Sequence, residues 1–186
     1  EINPYRPRRV ISVAAAVTVA ALEAGLPEKT PVIRVMPNTP ASVGAGMTAI
    51  TAGRYADEDF LETAKEIFSA LGKAAVVSER QLDEMGALSG AGPGYAFVII
   101  DALADAGVRA GLPRKLAVEA AAQTLYGAAK MVLETGKHPA ELRDGVTSPG
   151  GTTIAGIHAM EARGIRAALM DAVMAALAKS DEMGRK

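Results

Sequence analysis

The chain has 186 residues, is 49% apolar but only 4% aromatic, and carries a formal net charge of −1 with no cysteine. It is long enough for one large domain or two small ones, and its bias towards Ala and Gly favours close helix–helix approach. No basic run stands out beyond Arg6, Arg8 and Arg9, so there is no nucleic-acid footprint. The absence of cysteine excludes disulfides, thiolate chemistry and a cysteine-based metal site, and fits a reducing, cytoplasmic setting.

The opening Glu1-Ile2-Asn3-Pro4 is no signal peptide and reads like the middle of a longer sequence. Val10-Ile11-Ser12-Val13-Ala14 is a short β-branched run, predicted as a buried strand. A short helix follows through Val19-Ala20-Ala21-Leu22-Glu23 and ends at Gly25. Pro31–Met36 is the next predicted strand, stopped by Pro37, and Met47–Thr51 is a third. Asp57 is a predicted helix N-cap, with Phe60, Leu61, Ala64, Ile67, Phe68 and Leu71 at helical spacing and Gly72 as the stop. Ala74–Val77 supplies one more strand. Strands alternating with helices indicate an α/β unit with a largely parallel sheet.

After Glu79 no convincing strand remains. Tyr95–Arg109 is apolar on nearly every side, with Asp101, Asp105 and Arg109 as one narrow polar stripe, Arg109 supporting the two carboxylates. Such a helix needs burial around most of its circumference, which points to a second subunit. No segment reads as an uninterrupted apolar run of membrane-spanning length. A helix is predicted from Pro113, and the last helix puts Ile165, Ala168, Leu169, Ala172, Val173, Ala176 and Leu177 on one face. Met160, Met170 and Met174 read as core or interface fillers. The boundary falls between 1–80, the tail of an α/β domain, and 81–186, all-helical. The first part holds too few strands for a complete sheet, and no G-x-G-x-x-G follows a strand.

Three segments carry chemical signals. Thr147-Ser148-Pro149-Gly150-Gly151-Thr152-Thr153 runs straight into a helical pattern. It combines backbone access at the glycines, hydroxyls at the threonines, and the unpaired N–H groups of a helix start, a seat for a small anion. Leu88-Ser89-Gly90-Ala91-Gly92-Pro93-Gly94-Tyr95 is a glycine-rich loop opening another helix. Val35-Met36-Pro37-Asn38-Thr39-Pro40 ends a strand, where ligands of open α/β sheets sit. In this order the three segments resemble Δ1-pyrroline-5-carboxylate reductase, the last enzyme of proline biosynthesis, and the resemblance covers nearly the whole chain.

The resemblance implies a partial Rossmann-like parallel sheet followed by an all-α dimerisation domain, NADPH or NADH as cofactor, and self-association into an intertwined dimer or higher homo-oligomer. It implies a small cyclic imine as substrate, with no nucleic-acid and no membrane partner. Family members carry the dinucleotide motif near their N-terminus, so the chain is expected to be an N-terminally truncated form. Carried over residue by residue, Ser148, Gly150, Gly151, Thr152 and Thr153 hold the substrate carboxylate, and Thr153 faces the ring nitrogen as the catalytic candidate. Ala14, Ala15, Met36, Pro37, Asn38, Thr39, Ser89 and Gly92 fall on the cofactor side. Three positions depart from the family: Ala16 stands where glycine is usual, Ala91 where serine is, and Gly94 where alanine is.

The implied reaction is hydride transfer to a C=N carbon. The substrate can arrive protonated, so orientation is the protein's main task and no acid/base dyad is required. His138 and His158 lie far apart without metal-ligand spacing, and no metal is expected. A related imine reductase, a β-hydroxy acid reductase and a non-catalytic oligomerisation module are the alternatives. The hydroxy-acid reading wants a lysine near the substrate loop, for which Lys137 is poorly placed.

Overall fold

The computed structural model describes residues 7–184. The expectations for Arg6 and for Glu1–Pro4 lie outside them. By backbone contacts the chain divides into two units, one running up to Pro93 and resuming at Ala172, the other Gly94–Asp171.

The first unit is built on a four-stranded sheet in the order β1 (Val10–Ser12), β2 (Val32–Met36), β3 (Gly46–Ala52), β4 (Gly72–Val76). β1 pairs with β2 and β3 with β4 in parallel, but β2 and β3 are antiparallel, with Val35 opposite Ile50. The antiparallel step follows from chain length. Between Met36 and Gly46 there is room only for a 3₁₀ turn over Thr39–Val43, and a parallel return needs a longer crossover. Gly72, read in the sequence as a helix stop, is also the first residue of β4. It takes φ +144°, and a Cβ there would collide with the backbone of Gly46, its register partner.

Helices cover both faces of this sheet. α2 (Glu58–Ser69) starts at Asp57, whose carboxylate accepts from the Phe60 amide at 2.8 Å. It presents Phe60, Ala64 and Phe68 to Ile33, Val35 and Ile50, which form the core of the unit. Because strand side chains alternate between faces, Arg34 points the other way. There α1 (Val19–Ala24) and α3 (Glu79–Met85) pack on β2, and Leu82 of α3 is fully buried. A capping box between Ser78 and Gln81 fixes the start of α3.

The first residues of the glycine-rich loop read over Leu88–Tyr95 belong instead to a π-helical turn, Gly86–Gly90, closed by the Ala91 amide donating to the Gly86 carbonyl at 3.0 Å. It carries α3 on into α4 (Gly92–Arg109). The continuous helical stretch Glu79–Arg109 is long and apolar enough, by length and composition, to cross a membrane. The sequence reading asked for an uninterrupted apolar run, which the glycines, Pro93 and Asp101 break without breaking the helix.

The second unit holds most of α4, then α5 (Arg114–Thr135), α6 (Pro139–Asp144), α7 (Thr152–Glu161) and the start of α8 (Ile165–Gly184). α5 begins one residue later than the sequence reading, with Pro113 as its N-cap. Asp105 pairs with Arg114 at 2.6 Å, so the expected support comes from the start of α5 rather than from Arg109. The buried apolar residues of this unit, among those described, are three alanines, Ala104, Ala117 and Ala121. α4 and α5 touch through small groups, and a Cβ on Gly107 would stand 3.0 Å from that of Ala117. Much larger side chains lie in solvent, with Phe97 63%, Val98 70% and Leu133 63% exposed.

Candidate functional site

Two sets of predicted residues sit on the two units. On the first, parallel pairing puts the carboxyl ends of β1 and β2 side by side, Ser12 opposite Arg34. Ala14 and Ala15 therefore leave the sheet next to Met36, Pro37, Asn38 and Thr39. The Ser12 hydroxyl accepts from the Ala14 amide at 3.3 Å, and Ala16 takes the left-handed conformation at φ +58°. That region suits glycine, the residue that the resemblance leads one to expect there.

The Asn38 side chain bridges three segments. Its Nδ2 donates to the Ser89 carbonyl at 2.9 Å, and its Oδ1 accepts from the Met47 amide at 2.9 Å. Met36 lies against Gly86 and Gly90, whose added Cβ atoms would stand 3.5 and 3.9 Å from it. The Ser89 hydroxyl donates back to the Met85 carbonyl at 2.9 Å. Met36, Asn38 and Ser89 thus come together, yet the polar side chains of Asn38 and Ser89 are occupied by the protein itself. Gly92 faces open space.

An ion-pair cluster lies behind this edge, and the sequence reading missed it. Arg34, 1% exposed, donates from Nη1 to Glu79 Oε1 at 3.0 Å and from Nη2 to Asp83 Oδ1 at 2.7 Å. Its Nε has no partner. Glu79 Oε1 also accepts from the Val19 amide at 2.6 Å, at the first turn of α1. The available signal was a lone arginine inside an apolar strand, together with carboxylates four residues apart on the next helix of that face. A cavity of about 330 Å³ adjoins the cluster, lined by Ala16, Thr18, Arg34, Asp83 and the last turns of α8.

On the second unit, the loop Thr147–Thr153 leads into α7. Thr147 turns back on Asp144, its hydroxyl donating to that carbonyl at 3.0 Å. Gly150 takes φ +69°, and a Cβ on Gly151 would collide with the Ser148 hydroxyl. Gly151 is the N-cap and supplies no side-chain cap, so the first amides of α7 are left without a side-chain acceptor. Ser148, Thr152 and Thr153 are exposed. Beside the loop lies a cavity of about 640 Å³ lined by Arg143, Thr147, Gly150, Gly151, His158 and Glu161 among others. His138 caps α6, its Nδ1 accepting from the Ala140 amide at 3.2 Å, and Lys137 pairs with Glu141 at 2.7 Å.

Residues 79–183 match the family described as pyrroline-5-carboxylate reductase dimerisation. The chain belongs to the pyrroline-5-carboxylate reductase family. It is 50% identical over 177 residues to the pyrroline-5-carboxylate reductase of Synechocystis sp., covering 95% of this chain and 66% of that protein. It is similar in structure to the pyrroline-5-carboxylate reductase of Coxiella burnetii, at TM-score 0.92 and 38% identity, covering 100% of this chain and 70% of that one. It is also similar to Plasmodium falciparum pyrroline carboxylate reductase with NADP bound, at TM-score 0.91 and 33% identity, covering 98% of this chain and 74% of that one. The chain therefore spans about two thirds of the length of these pyrroline-5-carboxylate reductases. The family match runs from α3 through the π-turn and the helices after it, and takes in the second unit, whose own buried apolar residues are alanines.

Proposed function

We propose that the protein reduces Δ1-pyrroline-5-carboxylate to L-proline, using NADPH and also accepting NADH. The observation that carries this reading is the Gly151-capped start of α7, with its amides left open beside Thr152 and Thr153, in a chain 50% identical to a curated pyrroline-5-carboxylate reductase.

In this reading the substrate carboxylate accepts from the amides at the start of α7, where the helix dipole favours negative charge. The Gly150 and Gly151 backbone lets it approach. The Thr153 hydroxyl faces the ring nitrogen and fixes which carbon is presented. The nitrogen enters protonated, which makes the C=N carbon electrophilic, and it leaves as the amine after the carbon accepts hydride. NADPH supplies that hydride when bound.

The residues on the first unit suit the nicotinamide end of such a cofactor. Small side chains at Ala14 and Ala15 leave backbone accessible at the carboxyl edge of two parallel strands, and Gly92 faces open space. A structural relative has NADP bound, which supports the cofactor assignment. Self-association belongs to the same reading. The exposed apolar faces of α4 and α5 fit a second copy of the chain better than lipid, since the family match over them is to a dimerisation domain. A cysteine-free chain suits the cytoplasm.

The test is NADPH oxidation with pyrroline-5-carboxylate by this 186-residue chain and, beside it, by a form carrying the further third of length that its relatives have. Turnover by the longer form is expected. Its failure with this substrate, alongside turnover of another cyclic imine, would overturn the substrate. Turnover confined to the longer form would make this segment the substrate-and-assembly part.

A further inference from the structure

We propose that Arg34 and Glu79 are positioning residues for the cofactor side of the site, acting through the backbone of the β1–α1 connection. The proposal rests on the reading that Ala14, Ala15 and Met36–Thr39 face NADPH. Its own ground is the geometry behind them. One carboxylate oxygen of Glu79 accepts both from Arg34 Nη1 at 3.0 Å and from the Val19 amide at 2.6 Å. β2, α3 and the first turn of α1 therefore meet at a single atom. Arg34 stands two residues before Met36 on β2, and Val19 follows the Ala14–Thr18 connection directly. Further along the same continuous helix, in its π-turn, Asn38 holds the Ser89 carbonyl. The helix is thus pinned to the sheet twice, and both pins lie next to proposed cofactor residues.

The energetics favour placement over stability as the reason for this arrangement. A guanidinium that is 1% exposed, with an unpartnered Nε, is an expensive way to hold a strand to a helix. Replacing a buried ion pair with apolar side chains is often neutral or stabilising. A charged fork, however, fixes direction as well as distance. Glu79 is 36% exposed and free to rotate into water without Arg34. With Arg34 in place, its oxygen is held where it receives the α1 amide. The connection carrying Ala14–Ala16 is thereby fixed at both ends, by β1 and by Glu79.

The experiment compares E79A, E79Q and a control, F68L, which disturbs the α2 core away from this edge, in the longest form of the protein that turns over. NADPH affinity is measured by fluorescence titration, and exchange of the Val19 amide is measured without cofactor. E79A is expected to weaken NADPH about tenfold, as loss of a hydrogen bond to a charged group implies, and to speed exchange at Val19. E79Q keeps the accepting oxygen and is expected to stay within about threefold of wild type on the same grounds. F68L is expected to lower the unfolding midpoint without changing NADPH affinity. Unchanged affinity in folded E79A, or equal weakening in F68L, would overturn the positioning role while leaving the activity reading intact. Wild-type protein that binds no NADPH would overturn both.

Discussion

Ala16 sits at φ +58° with a side chain that this region disfavours. A left-handed L-residue costs about 1–2 kcal/mol, and glycine returns part of that gain through its looser unfolded chain. Ala16→Gly should therefore stabilise the first unit by about 0.5–1 kcal/mol, read as a higher urea midpoint. Thr153 makes the opposite kind of prediction. Thr153→Ala should lower turnover about tenfold or more while leaving NADPH affinity within about twofold, since its proposed contact is to the reacting ring. Equal losses in both would remove Thr153 from the site. The sequence showed these two residues for different reasons: Thr153 by its place in a motif, and Ala16 by its departure from one. Arg34 went unnoticed because a single charge does not disturb an apolar strand pattern. Its partners lie 45 and 49 positions away, so only the folded chain shows the three together.

Among the elements, those with a clear period were legible. β2 and β3 appeared as β-branched runs, and α2 as an apolar stripe behind an Asp cap, because a half-buried strand or helix writes its spacing into the sequence. The antiparallel step between β2 and β3 was not, since strand direction is set by the length of the connection and by pairing, which no local pattern encodes. The π-turn was hidden for a third reason. Gly90, Gly92 and Gly94 read as loop signals, whereas here Gly86 and Gly90 lie against Met36 within a helical turn. Asn38 joins that turn to β3, so Asn38→Ala would leave the Ser89 carbonyl and the Met47 amide without partners. We expect a loss of about 2 kcal/mol in urea unfolding, with NADPH affinity falling as Met36 and Ser89 separate.

For the molecule as a whole, the contrast between the units is the main fact. The first has Ile33, Val35, Ile50, Phe60 and Phe68 packed together, while the buried apolar residues of the second, among those described, are alanines. Burying one large apolar side chain contributes about 1.5–3 kcal/mol, so the exposed faces of α4 and α5 hold much of the stabilisation the second unit needs. Phe97→Asp should weaken self-association at least about tenfold in sedimentation equilibrium, and the wild-type melting temperature should rise with protein concentration. A monomer that melts independently of concentration would contradict the assembly reading.

The all-alanine core of α4 and α5 also bears on time. A helical hairpin that gains its large contacts only from another molecule cannot complete its folding alone. The late phase of refolding should then be second order in chain, slowing on dilution, while the β2–β3 sheet and α2 form early at a rate that dilution leaves unchanged. In a cell, the interval between synthesis and a finished assembly would then be set by how soon one newly made chain meets another.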